Sequence, residues 1–532
     1  MKIYERKWYG HIIFASVFLA LASILHIVST YLLGQTIDSA TYGDTSKMIS
    51  TATIVVVIFV FGGIFRILSN RFSILSSNGV ISNINIKILQ NLYKQPTKKI
   101  KSRDDSYYIN LMTADSDTLR INWYSILSSE VGCIFEVLVG LSILAYISPW
   151  MFLISVSLAS VPMITTRAFT KNLQNRQVSA SNTRGEHIAI ITEAIQGYES
   201  LKSVRKMDGY FKRFAYVNKN MFIEGYKYNI MNIIAYWSAR YLTFFGIVIQ
   251  IIVGGYLILN GRISVGELVS ANFISSSVSD GISNYIEYRL KRRSVIPIRS
   301  KIADELLEPY EVKLQDKGSG FVPTIKYENV SFAFGEKQII NKFSYTFKPG
   351  GSYVIVGGSG VGKSTLIKLL LKIYDDYNGT ITIDNKDIKN MPENEVLNSV
   401  CFLNQSVFLL NDTLKNNITL YNENNSNIET LLRELSLESL ANRVGESPLG
   451  DFGDNISGGE RQRIALARTL FQNPKILILD EPNTGLDPEN SKIINEYIFS
   501  LKGVTRIVIS HDWNHEYLSR FDGVIQLGNS DG

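Results

Sequence analysis

"SYVIVGGSGVGKSTLIKLLL", Ser352–Leu371, is an apolar run, a glycine turn and a helical pattern in immediate succession. It contains G-x-x-x-x-G-K-[ST] in the strand–turn–helix setting that the pattern demands. Glycines let successive backbone N–H groups curl around phosphate oxygens, so Gly357, Gly358, Ser359, Gly360, Val361, Gly362, Lys363, Ser364 and Thr365 are expected to cradle a nucleotide. Lys363 supplies positive charge for the β- and γ-phosphates, and the Ser364 hydroxyl is a ligand for Mg²⁺.

Downstream, "KILILDEPNTGLD", Lys475–Asp487, is an apolar strand that ends in two adjacent carboxylates. Asp480 suits the Mg²⁺ shell, and Glu481 can orient or deprotonate an attacking water. Between these two motifs, "DNISGGERQRIALARTL", Asp454–Leu470, sets Ser457, Gly458 and Gly459 before an amphipathic helix. A helix start with a hydroxyl and two glycines is a second anion site. From residue 325 to 532, short β-like runs alternate with helical ones, which predicts an α/β domain.

The first 300 residues read differently. A spanning helix needs about 20 mostly apolar residues, and such runs fall near 10–33, 50–72, 124–147, 150–170, 232–258 and 264–286. The last is rich in serine. Lys87–Arg103, Lys171–Arg213 and Arg289–Arg293 are basic, whereas the turns near Ile147–Trp150 and Asn260–Ser264 carry only Arg262. Basic segments stay on the cytoplasmic side, so both termini and the two long loops are expected there. Helical patterns run on through 79–123 and 171–231 and are expected to turn back near "KSRDDSYYINL" and "KMDGYFKRF", positioned to dock on a cytoplasmic domain. His26, Glu130, Glu136, Arg240 and Asp280 sit at membrane depth, where a charge costs roughly 2.5–3.5 kcal/mol, so they are expected to face a wet cavity or a partner. Glu130 near the interface and Arg240 snorkelling remain alternatives. A linker spans 301–324.

The chain has 532 residues, a net charge of +6 and two cysteines. That mild basicity gives no support for nucleic-acid binding. Cys133 and Cys401 read as small buried hydrophobes, not as a disulfide framework or metal site. The first apolar run is too long for a signal peptide.

Residues 325–530 resemble the nucleotide-binding domain of ABC transporters, and the 454–470 stretch resembles that family's signature. The membrane half is similar to the six-span core of type IV ABC exporters. "MTADSDTLR" resembles the segment after a first coupling helix, "NGRISVGELV" the start of a sixth span, and "RVGESPLGDF" an exporter segment before the signature. The resemblance implies an all-α six-span transmembrane domain with long intracellular helices, followed by an α/β P-loop ATPase that uses ATP and Mg²⁺. It further implies that Phe334 in "VSFAFGEK" stacks on adenine in preference to Tyr327, and that Gln405 in "FLNQSVF" touches Mg²⁺ and water. Asp487 in "TGLD" would cross a dimer interface, and His511 in "VISHD" would contact the γ-phosphate. Ile456, Glu460 and Asn483 depart from the commoner family residues without removing a group that phosphate chemistry needs.

One chain thus carries one phosphate loop and one signature. The resemblance implies that the signature of one subunit closes over ATP held by the other, in a homodimer or with a similar half-transporter. The function expected is ATP-driven export of a peptide, drug-like or cationic amphiphilic substrate across a bacterial cytoplasmic membrane. An importer, a lipid flippase and an ATP-gated channel or regulatory subunit share these motifs. No peptidase domain precedes the first run, so leader cleavage by the chain is not expected.

Overall fold

The computed structural model describes residues 7–204, 207–307, 322–422, 427–483 and 488–528. The chain forms two units: Met1–Asn91 with Asp105–Glu308, and Leu92–Asp104 with Pro309–Gly532. Most of the expected linker, residues 308–321, and Asp487 lie outside the described residues.

The first unit is helical. Its long elements are α1 (Tyr9–Thr41), α2 (Thr45–Leu92), α3 (Asp105–Ile147), α4 (Pro149–Gln196), α5 (Asp208–Leu259) and α6 (Val265–Ser294), followed by α7 (Ile296–Leu307). A helix rises 1.5 Å per residue, so the 48 residues of α2 and of α4 each extend about 72 Å, over twice the hydrocarbon thickness of a bilayer. Among the described residues, α1, α2, α3 and α5 are long and apolar enough to cross a membrane. In α4 the described apolar stretch is only Pro149–Leu158, and α6 carries serines where the others carry leucine and isoleucine. The long helices end ahead of the expected turning points: α2 stops at Leu92, before "KSRDDSYYINL", and α4 at Gln196, before "KMDGYFKRF", whose Lys206 lies outside the described residues.

Small residues bring α1 and α6 together. A Cβ on Gly34 would stand 2.3 Å from the Gly266 carbonyl oxygen, and one on Gly266 would stand 1.9 Å from that of Gly34. Asp38 completes this contact, because its Oδ1 accepts the Gly266 N–H at 2.8 Å and its Oδ2 accepts the Ser264 hydroxyl. Ser264 also caps α6 reciprocally with Glu267. Deeper in the bundle, Gln250 Nε2 donates to Ser275 Oγ at 2.8 Å, and Ser275 meets Ser155, so α5, α6 and α4 share a buried polar contact.

The membrane-depth charges divide. Glu130 is buried and pairs at 2.6 Å with Arg292, just past the apolar part of α6, which favours the interface alternative over an open cavity for this residue. His26 Nδ1 lies 3.8 Å from Glu136. Asp280 and Arg240 are exposed on α6 and α5. Cys133 is buried as expected, and Cys401 is part-buried.

The second unit holds two sheets. The antiparallel one has the order β2-β1-β4-β5, with β1 (Ile325–Phe334), β2 (Lys337–Phe347), β4 (Asn378–Ile383) and β5 (Lys386–Asp387). The parallel one has the order β6-β7-β8-β3-β9, with β3 (Ser352–Gly357), β6 (Val400–Leu403), β7 (Ile476–Asp480), β8 (Thr505–Ser510) and β9 (Gly523–Leu527). Every residue of β3, β7 and β8 is buried, which explains why they read as continuous apolar runs without alternation. Helices α8 (Lys363–Leu370), α9 (Gly458–Phe471) and α10 (Pro488–Ser500) carry the apolar faces that cover them.

Residues 92–104 pack with this unit. The Thr97 N–H donates to Glu393 Oε2 at 2.9 Å, and Lys98 pairs with Asp375, a hydrogen bond that raises the Lys98 ammonium pKa. Pro96, Lys98 and Ser102 line a cavity of about 480 Å³ with Lys372, Met391 and Glu393.

Candidate functional site

Parallel strands deliver their carboxyl ends to one edge, where ligands of open α/β sheets bind. Here Val356 is level with Ser510, and Asp480 is level with Ile509, so the residues that follow β3, β7 and β8 meet.

The turn after β3 is open. Gly358, Ser359 and Gly360 are exposed, and a Cβ on Gly360 would meet nothing within 4 Å. Gly360 and Gly362 take φ values of +79° and +104°, a region glycine enters without penalty. At Gly362 a Cβ would also stand 2.9 Å from Ile339, so glycine is required there twice over. The next residue, Lys363, opens α8 and is buried, with Nζ donating to the carbonyls of Gly357 and Gly358 at 2.8 and 2.9 Å. Burial lowers its pKa, opposed by the charges of Glu481 and Asp480. An ammonium parked on neutral carbonyls is poised to exchange them for phosphate oxygens.

Asp480 ends β7 and is buried; burial raises its carboxyl pKa, while a hydrogen bond from Ser364 works the other way. A hydroxyl and a carboxylate in contact form the hard oxygen pair that Mg²⁺ prefers, and a desolvated carboxylate gains from a cation. The donor set therefore fits that ion.

Glu481 sits at φ +51°, a left-handed backbone uncommon outside glycine, and its N–H donates to Ile509 O at 3.1 Å. Gln405 Nε2 donates to Glu481 Oε2 at 2.7 Å, and His511 Nε2 lies 2.7 Å from Oε1. His511 also lies 3.5 Å from Lys363 Nζ. Lys363, Ser364, Asp480, Glu481, Gln405 and His511, spread over some hundred and fifty positions, are thus one group.

Phe334 closes β1, exposed, with its ring centroid 5.2 Å from that of Tyr374. Tyr327 is buried and donates its hydroxyl to Leu366 O, so it offers no stacking face. Tyr374 escaped the sequence reading because no local pattern marks it.

Ser457, Gly458 and Gly459 stand apart, at the start of α9. Ser457 Oγ accepts the Glu460 N–H at 3.2 Å, and Glu460 Oε2 accepts the Ser457 N–H at 2.8 Å. Arg443 grips both Glu460 oxygens, at 2.9 and 3.0 Å. Burial disfavours the Glu460 charge, but the Ser457 bonds and Arg443 together hold its pKa below the usual value.

A family model for the ABC transporter transmembrane region matches residues 12–280, and one described as ABC transporter matches 340–484. The chain belongs to the ABC transporter family. The ATPase domain falls within Pro309–Gly532 of the second unit, and the transmembrane region takes in the first unit together with Leu92–Asp104. It is 24% identical over 488 residues to the mitochondrial ATP-dependent permease MDL2 of Saccharomyces cerevisiae, which covers 88% of this chain and 61% of that protein. It is 25% identical to the lactococcin-G-processing and transport ATP-binding protein LagD of Lactococcus lactis, over 72% of this chain and 55% of that one. The ATP-dependent lipid A-core flippase of Desulfotalea psychrophila is 24% identical, with 84% of each chain covered. The chain therefore spans under two thirds of the length of the first two relatives. Its fold is shared with a bacterial Atm1-family ABC exporter solved with ATP bound, at a TM-score of 0.78, 19% identity and coverage of 98% of this chain and 93% of that one.

Proposed function

We propose that this ABC transporter chain is one half of an ATP-driven exporter, in which two copies make two composite ATP sites and drive a substrate outward through six spans per copy. The observation that carries the reading is the Glu481 carboxylate, bent out of β7 between Gln405 and His511 and beside the Lys363–Ser364 loop.

In this reading Phe334 stacks on adenine, and Lys363 leaves the Gly357 and Gly358 carbonyls for the β- and γ-phosphates. Ser364, Asp480 and Gln405 hold Mg²⁺, which supplies neutralising charge at the phosphates. Glu481 orients or deprotonates the attacking water, and His511 turns to the γ-phosphate. The second copy contributes Ser457, Gly458 and Gly459 over the same nucleotide, with Asp487 at the crossing. The outward-facing apolar side chains of the α4–α5 hairpin, among them Val178, Ile195, Phe211 and Tyr216, fit cover by that second copy.

ATP drives the cycle through a higher affinity for the closed dimer, the only way a ligand shifts such an equilibrium. The substrate reading is a peptide, drug-like molecule or cationic amphiphile, with Glu136 and the exposed Asp280 as the acidic groups in the spans.

The test is ATP hydrolysis and transport by the purified chain in lipid, including inverted vesicles. ATP-dependent uptake into inverted vesicles is expected. Transport in the opposite sense would make it an importer, lipid movement alone a flippase, and uncoupled ion current a channel. Full ATP turnover by an isolated monomer would defeat the composite site.

A further inference from the structure

Trp123 of α3 holds two guanidinium groups against one indole. The Arg292 carbon lies 4.5 Å and the Arg299 carbon 4.3 Å from its ring centroid. Arg292 belongs to the end of α6 and Arg299 to α7, so the indole spans the joint between these helices. Arg292 is anchored again through its 2.6 Å bond to Glu130. Two residues further along α7, Lys301 donates to Asp115 at 2.6 Å and lies 4.3 Å over the Tyr107 ring. Tyr107 donates to Glu305 Oε1 at 3.2 Å, and the Asn91 side-chain amide donates to the Glu305 carbonyl at 3.2 Å. Beneath these contacts, Val80 and Ile84 of α2, Leu111 and Leu119 of α3, and Ile302 and Leu306 of α7 form one buried cluster.

The backbone is shaped for this arrangement. α3 is interrupted by two π turns, Leu111–Asp115 and Arg120–Tyr124. Such turns are rare, insert one extra residue and cluster at functional positions. The first contains Asp115, which pairs with Lys301, and the second contains Trp123, against which Arg299 lies. Each insertion rotates the helix face that follows it by about 100°.

The chain leaves the membrane unit after Asn91, re-enters at Asp105 and leaves again after Glu308. The three stretches flanking those crossings are Asn91, the 105–124 part of α3, and α7. They are the ones bound together here. We propose that Trp123, with Arg292, Arg299 and the Asp115–Lys301 pair, clamps the α3 and α7 connections, to which Asn91 is tied through Glu305, so that they move as one body. A change in the nucleotide unit then reaches α3 and α6 together. These are positioning residues for coupling; they touch neither nucleotide nor substrate. The inference rests on the transport reading above.

The test uses the full chain in lipid nanodiscs, with Cys133 and Cys401 replaced by alanine and Ser277→Cys on α6 as reporter. Labelling of that thiol by an impermeant maleimide is compared with and without ATP plus vanadate, alongside ATP turnover. In Trp123→Leu, turnover should stay at the parent rate while the nucleotide response of the thiol falls about fivefold or more. Trp123→Phe, which keeps an aromatic face, should restore the response. Asp115→Lys should also lose it, and Asp115→Lys with Lys301→Asp should regain it, which carries the test if Trp123→Leu does not fold. A normal response in Trp123→Leu, loss of turnover together with response in that variant, or no recovery in the charge reversal would overturn the clamp. A parent protein whose thiol ignores ATP would refute the transport reading itself and the clamp with it.

Discussion

His511 Nε2 stands 2.7 Å from Glu481 Oε1, while the other oxygen of the same carboxylate accepts from Gln405. Both groups proposed to reach the nucleotide, the histidine and the glutamine, are therefore held by the residue proposed to handle water. In the proposed reading, nucleotide arrival redistributes these bonds, which ties formation of the reactive geometry to occupancy of the loop at Gly358–Lys363.

Glu481→Gln keeps the shape and the Gln405 contact but removes the basic carboxylate. ATP turnover should fall by about 10²- to 10⁴-fold, the usual share of general base catalysis, while ATP binding persists. Radiolabelled ATP retained on a long-lived dimer, beside near-zero phosphate release, is the expected pair of measurements. Retained steady-state turnover would remove Glu481 from the role.

At the start of α9, Ser457→Ala should cost about 1 kcal/mol of stability, the typical worth of such a cap, and should also lose turnover. Glu460→Gln can still accept the Ser457 N–H but loses the charge pairing with Arg443 and one of its two hydrogen bonds; the Arg443 side chain is 57% exposed and that of Glu460 12%. A half-exposed pair of this kind is worth about 1 kcal/mol, so this variant should melt slightly below the parent and keep its turnover. Thermal denaturation and ATPase assays of the two variants check the contrast.

Asp480 has its pKa raised by burial. A raised folded pKa means that folding favours the protonated form. The carboxylate therefore opposes folding above the folded pKa and ceases to do so as pH falls below the unfolded value. Asp480→Asn should accordingly raise the melting temperature at pH 7, with the gain shrinking toward pH 4, while abolishing turnover. A variant less stable than the parent at pH 7, or a gain that ignores pH, would contradict this account.

Gly266→Ala would drive a methyl into the Gly34 carbonyl and against the Asp38 carboxylate. Overpacking of this kind costs about 1–3 kcal/mol. Gly63→Ala and Gly255→Ala, whose added Cβ atoms meet nothing within 4 Å, should be neutral or slightly stabilising. Size-exclusion monitoring of heated detergent extracts separates the two groups; equal thermostability across all three would remove the close α1–α6 contact.

Much of this protein follows from local chemistry. The Gly357–Thr365 loop, the carboxylates after β7 and the capped start of α9 each depend on residues adjacent along the chain, so their patterns are readable before folding. The apolar runs of α1, α2, α3 and α5 are likewise legible, because a bilayer demands length and composition only. Tertiary structure alone decided which polar groups find each other across large separations. It paired Glu130 with Arg292, seated Asp38 on Ser264 and Gly266, and laid Arg292 and Arg299 on Trp123. It also bent Glu481 into a left-handed conformation that no flanking residue advertises. The physical reason is the same throughout. A hydrogen bond to a neighbour is set by spacing, whereas a buried charge takes whichever partner packing brings within reach.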